Sequence, residues 1–128
     1  MIVADTSALL TILFDEPGAA RCRRALEIEP DIHMSAGTLA EALIILAHRG
    51  GSELLLALVE ELGFTVDPVN AAFAERVGQA HGRWGKGAHA AQLNFGDCFA
   101  YVLAKELDCP LLFVGEDFAR TDVESALS

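Results

Sequence analysis

Residues 2–9 read Ile2-Val3-Ala4-Asp5-Thr6-Ser7-Ala8-Leu9. The first three are small or branched apolar residues, the pattern of a short strand covered on both faces. Asp5, Thr6 and Ser7 follow at once. Such side chains open helices, because their oxygens accept the free backbone N–H groups of a first turn. The stretch therefore reads as strand, then carboxylate, then helix, with the helical pattern running from Ser7 to Phe14.

The same alternation continues outward from this start. Pro17 suits the first turn of a second helix that continues from Ala19 to Ile28, and Pro30 ends it. Ile32-His33-Met34 is a second strand. Ser35 opens a helix to His48, which Gly50-Gly51 stops. Ser52 opens another, with Leu55, Leu58, Val59 and Leu62 at helical spacing, and Gly63 closes it. Phe64-Thr65-Val66 reads as a strand bounded by Pro68. A helix from Ala71 to about His81 leads to a loop containing Gly82, Gly85 and Gly87. A last helix from about Gly96 to Leu107 precedes the strand Leu111 to Val114 and an extended stretch around Val123. Strands separated by helices predict an α/β fold, a mainly parallel sheet with helices on both faces. The 128 residues suit a single domain spanning 1–128.

Composition excludes several classes. The chain is 52% hydrophobic, which argues against intrinsic disorder. Its net charge is −10, a poor basis for coating nucleic acid through bulk charge. The three cysteines, Cys22, Cys98 and Cys109, have neither disulfide-framework nor zinc-site spacing and read as reduced thiols. The N-terminus lacks a signal-peptide pattern, and no apolar run is long enough to span a bilayer. The expected setting is cytoplasmic, without a membrane partner.

In open parallel sheets, ligands sit beyond the carboxyl ends of the strands. Asp5 directly follows the first strand, and Asp117 lies just past the fourth. Glu41 stands about two turns into the helix entered from the second strand, and Asp97 in the first turn of the helix leading to the fourth. Taken singly, each has a plain structural reading: a cap, a dipole partner, a solvated face, a turn residue. Jointly they place four carboxylates from four segments at one end of the sheet. Clustered carboxylates repel, and a hard divalent cation relieves that repulsion. Mg²⁺ or Mn²⁺ suits an all-oxygen ligand set, and such an ion can activate water for attack on a phosphodiester.

The blocks Met1–Leu9, Thr38-Leu39-Ala40-Glu41-Ala42, Leu93-Asn94-Phe95-Gly96-Asp97-Cys98-Phe99-Ala100-Tyr101 and Gly115-Glu116-Asp117-Phe118-Ala119-Arg120-Thr121-Asp122 resemble those of PIN-domain ribonucleases, specifically VapC-type toxins of bacterial toxin–antitoxin modules. The resemblance covers essentially the whole chain. It implies a three-layer α/β/α fold and a metal-dependent endoribonuclease whose acidic quartet is Asp5, Glu41, Asp97 and Asp117. It also implies supporting roles for Thr6 or Ser7 and for Thr121 and Asp122, a cognate VapB-type antitoxin, and a homodimer. Leu55–Leu62 offers a candidate surface for that dimer. Glu116 is an extra acid expected to face solvent.

No acid occurs between Glu75 and Asp97, an interval holding Arg76, His81, Arg83, Trp84, Lys86 and His89. Arg83 and Lys86 can pair with phosphates and Trp84 can stack on a base, so this stretch is a candidate RNA-binding edge. A mobile loop around a half-buried tryptophan reads the same residues equally well. Arg21, Arg23 and Arg24 fit a solvated face balanced by Glu27 and Glu29. His33 and His48 have no evident carboxylate partner by spacing. Two other functions compete: an antitoxin-dependent co-repressor reaching operator DNA only through its partner, and another Mg²⁺-dependent phosphohydrolase.

Overall fold

The structure, a computed structural model, describes residues 1–127. Its elements in chain order are β1 (Ile2–Ala4), α1 (Thr6–Leu13), α2 (Ala19–Glu27), β2 (Ile32–Ser35), α3 (Ala36–Arg49), α4 (Ser52–Glu61), β3 (Thr65–Asp67), α5 (Ala71–Trp84), α6 (Phe95–Leu107) and β4 (Leu111–Leu112). A 3₁₀ turn covers Phe118–Arg120. The strands form one sheet in the order β3-β2-β1-β4, and every pairing is parallel.

β1 is central, and its residues face alternate sides. Val3 joins the core formed with α5 and α6, which includes Trp84, Leu93, Tyr101 and Phe118. Ile2 and Ala4 join the core formed with α1 to α4, which includes Leu9, Leu26, Met34 and Leu55. The period of two along a strand thus feeds both helical layers from one three-residue run. From β1 the chain winds one way to β2 and β3, then returns to the other side of β1 as β4. The gap between the carboxyl ends of β1 and β4 is therefore where the winding direction reverses, the place where such sheets bind ligands.

Several boundaries differ from the sequence expectations. Pro17 lies in a turn ahead of α2, because Gly18 takes a φ of 96° and the helix starts only at Ala19. Ser52 is inside α4, whose cap position is Gly51 with a φ of 111°. α5 runs on to Trp84, so Gly82 is helical and the glycine loop keeps only Gly85 and Gly87. β4 stops at Leu112: the Val114 N–H turns away from the ladder and donates to Ser7 Oγ at 3.0 Å. The stretch around Val123 does return beside β4, with Leu111 N–H donating to Glu124 O and Ala126 N–H to Leu111 O.

Two further expectations are corrected by burial and pairing. Leu55 and Leu58 face the core, so the exposed leucines of α4 are Leu54 and Leu56. His33 does have carboxylate partners: Nδ1 lies 2.7 Å from Asp67 Oδ2 and Nε2 lies 3.0 Å from Asp31 Oδ1. Spacing conceals Asp67, which reaches His33 across the β2–β3 pairing, while Asp31 stands only two residues before it. Among the described residues no helix is long and apolar enough to cross a membrane.

Candidate active site

Asp5 ends β1 and caps α1, so its side chain stands at the reversal point of the sheet. It is 2% exposed. Oδ2 accepts from Ser7 N–H at 3.0 Å and from Ser7 Oγ at 2.7 Å. Oδ1 is buried with no hydrogen-bond partner. An ionised oxygen without a partner is costly to bury, so this atom calls for a cation or a proton. Burial pushes the carboxyl up to about 7; the Ser7 bonds oppose the rise, and the charges of Asp97 and Glu41 add to it.

Glu41 arrives from α3, one layer over. Thr6, the residue after Asp5, donates its hydroxyl to Glu41 Oε1 at 2.8 Å. One tripeptide thus holds two carboxylates, Asp5 through Ser7 and Glu41 through Thr6. Asp97 arrives from the first turn of α6, where it shares a capping box with Asn94. The Asp97 N–H donates to Asn94 Oδ1 at 2.8 Å, and the Asn94 N–H donates to Asp97 Oδ2 at 3.0 Å. Burial lifts Asp97 to about 6; the Asn94 bond works against this, and the charges of Glu41 and Asp117 reinforce it.

The approach of α3 to α6 depends on two glycines. A Cβ on Gly96 would collide with the Glu41 carboxylate, and a Cβ on Gly37 would collide with the Phe99 ring. Glycine at both positions lets the helices close until Glu41 and Asp97 feel each other's charge. Asp117 caps the 3₁₀ turn without a side-chain cap bond and is exposed on the same side. Its charge is felt at Asp97.

The structure therefore brings together all four predicted acids, together with Thr6 and Ser7. Thr121 and Asp122 make their hydrogen bonds to other groups. Thr121 Oγ1 donates to Phe118 O within its own turn, and Asp122 accepts from Tyr101 Oη at 2.6 Å. Trp84 is buried, its indole N–H donating to Tyr101 Oη at 2.9 Å, so the ring packs inside instead of offering a free stacking face. Arg83 and Lys86 are exposed. Glu116 faces solvent, as expected. Sequence reasoning missed Asn94, Gly37 and the positioning role of Gly96; only the Asn94-to-Asp97 capping spacing was visible as a signal.

Among the described residues no three His, Cys, Asp or Glu side chains already close on one point as a metal cage. Each inner carboxylate is drawn to its own donor. The chemistry of the set still fits a hard cation: oxygen ligands only, mutual repulsion, and one orphaned buried oxygen on Asp5.

Wound this way, with a carboxylate cluster at the β1–β4 reversal, the molecule is a three-layer α/β/α domain. The PIN domain family model matches residues 2–124, and the chain belongs to the PIN-domain family. It is 44% identical over 126 residues to Ribonuclease VapC of Mycolicibacterium smegmatis, covering 95% of this chain and 97% of that one. It is 42% identical over 130 residues to Ribonuclease VapC30 of Mycobacterium tuberculosis, covering 95% of each. In fold it is similar to Mycobacterium tuberculosis VapC20, described as a sarcin–ricin-loop-cleaving toxin, with a TM-score of 0.76 at 18% identity over 96% of each chain. It is likewise similar to a chain of a toxin–antitoxin complex from Klebsiella pneumoniae, with a TM-score of 0.73 at 19% identity over 98% of each chain.

The raised carboxyls make stability depend on pH. Folded Asp5 and Asp97 hold protons that the unfolded chain, with ordinary values of 3.8, has already released. Stability from this source is complete below about 3.8 and is lost as the pH rises through 6 and 7. In chelator, the melting temperature of the wild type should fall between pH 5 and pH 8, and Asp5→Asn should flatten that fall. An equally steep fall in Asp5→Asn would show that the buried carboxylate is not its source.

Proposed function

We propose that this chain is a divalent-cation-dependent endoribonuclease, the toxin of a toxin–antitoxin pair, held silent by a cognate VapB-type antitoxin. The reading rests chiefly on one observation. A chain 44% identical to a curated VapC ribonuclease over 95% of its length carries four acids around the carboxyl end of its central strand. A homodimer and a cytoplasmic setting belong to the same proposal.

Asp5, Glu41, Asp97 and Asp117 would hold Mg²⁺ or Mn²⁺. Bound there, such an ion supplies the positive charge that lets a phosphodiester approach the acids and the electrophile that activates water. The protein's own part is positional. Ser7 fixes Asp5 Oδ2, leaving Oδ1 as the open ligand position. Thr6 holds Glu41, and Asn94 sets the angle of Asp97. No protein base is required, and His33 is committed to Asp31 and Asp67.

Substrate contact is assigned to Arg83, Lys86 and, indirectly, Trp84. The Arg83 guanidinium lies over the Trp84 ring, 4.5 Å from its centroid. Trp84 thus serves as the platform that holds a phosphate-binding cation outward.

The decisive experiment incubates purified, antitoxin-free chain with structured RNA and Mg²⁺ or Mn²⁺. Cleavage should require the metal, stop in chelator, and fall to background in Asp5→Asn and Asp97→Asn. Metal-independent cleavage, or full activity in either variant, would overturn the mechanism.

Gly96→Ala probes the approach of α3 to α6. Its methyl displaces Glu41, so Mn²⁺ affinity measured by calorimetry should drop roughly 10- to 100-fold. Unchanged affinity would remove Glu41 from the site.

Arg83→Ala combined with Lys86→Ala should weaken RNA binding. The slope of log affinity against log salt should become shallower by roughly 1.4, two contacts at about 0.7 each on single strands. Mn²⁺ affinity should stay constant, and an unaltered salt slope would show that these cations do not meet phosphate.

A further inference from the structure

Phe95 is the most exposed large hydrophobic side chain among the described residues, at 73%. It is the first residue of α6, directly before Gly96, on which Glu41 rests, and two before Asp97. Its ring is nevertheless braced. It meets Phe99 edge-on, with centroids 5.0 Å apart and planes at 88°. Phe99 in turn stacks on Phe73 at 6.4 Å and is pressed against Gly37. The outermost ring of this aromatic row therefore stands rigidly at the rim of the acidic centre with its outer surface open.

Beside it runs a groove of about 370 Å³, lined by Ala74, Val77, Gly78, His81, Phe95 and Cys98. The walls are apolar, and the exposed imidazole of His81 is the polar group among them. A flat aromatic solute with polar edges fits such walls, whereas a phosphate or a sugar does not. The local sequence is compatible with the same kind of occupant. Phe95 and His81 both lie in the interval from Arg76 to Gly96, the longest acid-free stretch of this chain. A polyanion that reaches the centre along this side can lay a base on Phe95 while the adjoining phosphate meets the carboxylate centre.

We infer that Phe95 and the groove beside it form a nucleobase subsite, which stacks the base next to the phosphodiester under attack. The inference builds on the ribonuclease reading and adds a substrate-positioning residue to it. Phe95 contacts the base and not the reacting phosphate, so it acts on binding and register and leaves the chemical step alone.

The test uses an RNA oligonucleotide whose cleavage site in the wild type has been mapped. Phe95→Ala should raise KM roughly tenfold, the change expected for losing one stacked base, with kcat within about threefold of wild type. Phe95→Trp should restore KM. With 2-aminopurine placed on either side of the cut, the Asp97→Asn protein should quench one of the two positions, and adding Phe95→Ala should abolish that quenching. Light scattering on each variant reports subunit assembly. A wild type that cleaves, with KM and quenching unaltered in Phe95→Ala, overturns the subsite and leaves the ribonuclease reading intact. So does a Phe95→Ala protein whose loss of activity follows its dissociation into smaller species, because the face then belongs to another copy of the chain. A wild type that binds RNA with Phe95-dependent quenching but never cuts it overturns the activity alone. A wild type that neither binds nor cuts RNA overturns both.

Discussion

A carboxylate with one unpartnered oxygen is buried where the central strand ends, and the arrangement around it follows from that constraint. Asp5 is placed there by chain geometry: β1 is only three residues long, and α1 begins one residue after it. The side chain therefore lies in the crevice at the β1–β4 reversal, out of bulk water. Ser7 satisfies one oxygen and leaves the other. Asp97 and Glu41 then raise the cost of keeping Asp5 charged, and Asp117 adds to the cost at Asp97. The cluster is a local conflict that the rest of the fold overrides, the usual mark of a site kept for chemistry.

Bringing the acids together needs close helix packing as well as charge. Gly37 and Gly96 remove the two Cβ atoms that would hold α3 and α6 apart. Around them the donors are economical: Thr6 and Ser7 serve two different carboxylates from adjacent positions, and Asn94 both caps α6 and aims Asp97. Ser7 also accepts the Val114 N–H, which ties the end of β1 to the segment leading toward Asp117. A single hydroxyl thus couples the geometry of Asp5 to the strand end opposite it.

The strand–acid–helix unit at residues 2–9 was legible because its period changes within three residues, from buried alternation to helical capping. Asp5, Asp97 and Asp117 were legible because each follows a strand or opens a helix, whereas Glu41, in the second turn of α3, was legible only jointly with them. What the sequence did not disclose depends on distances between elements. His33 finds Asp67 only across the β2–β3 pairing. Trp84 reads equally as a base-stacking ring or a half-buried one in an acid-free, glycine-rich stretch; α5 continues through Gly82 and carries it into the core against Tyr101. Leu55 and Leu58 show the right spacing for an apolar face, and the direction of that face is set by where α4 lies against the sheet. The partners of Asp122, Tyr101 and Lys105, lie on α6 and have no signal in its sequence neighbourhood.

The net charge of −10 looks hostile to a nucleic-acid substrate, and as a bulk quantity it is. Charge acts over about 10 Å at moderate salt, however, so the local distribution decides what can approach. Along the chain that distribution is uneven. From Arg76 to Gly96 it offers cations, two imidazoles and a braced phenyl ring, and no acid. Among these, Arg76 is spent on an ion pair with Glu106. Arg83 and Lys86 are left facing outward, and Phe95 stands between them and Asp97 in sequence. On the ribonuclease reading, the proposed contacts with a polyanion fall to the one long stretch of chain that carries no acid, and the bulk charge excludes only binding by general electrostatic coating.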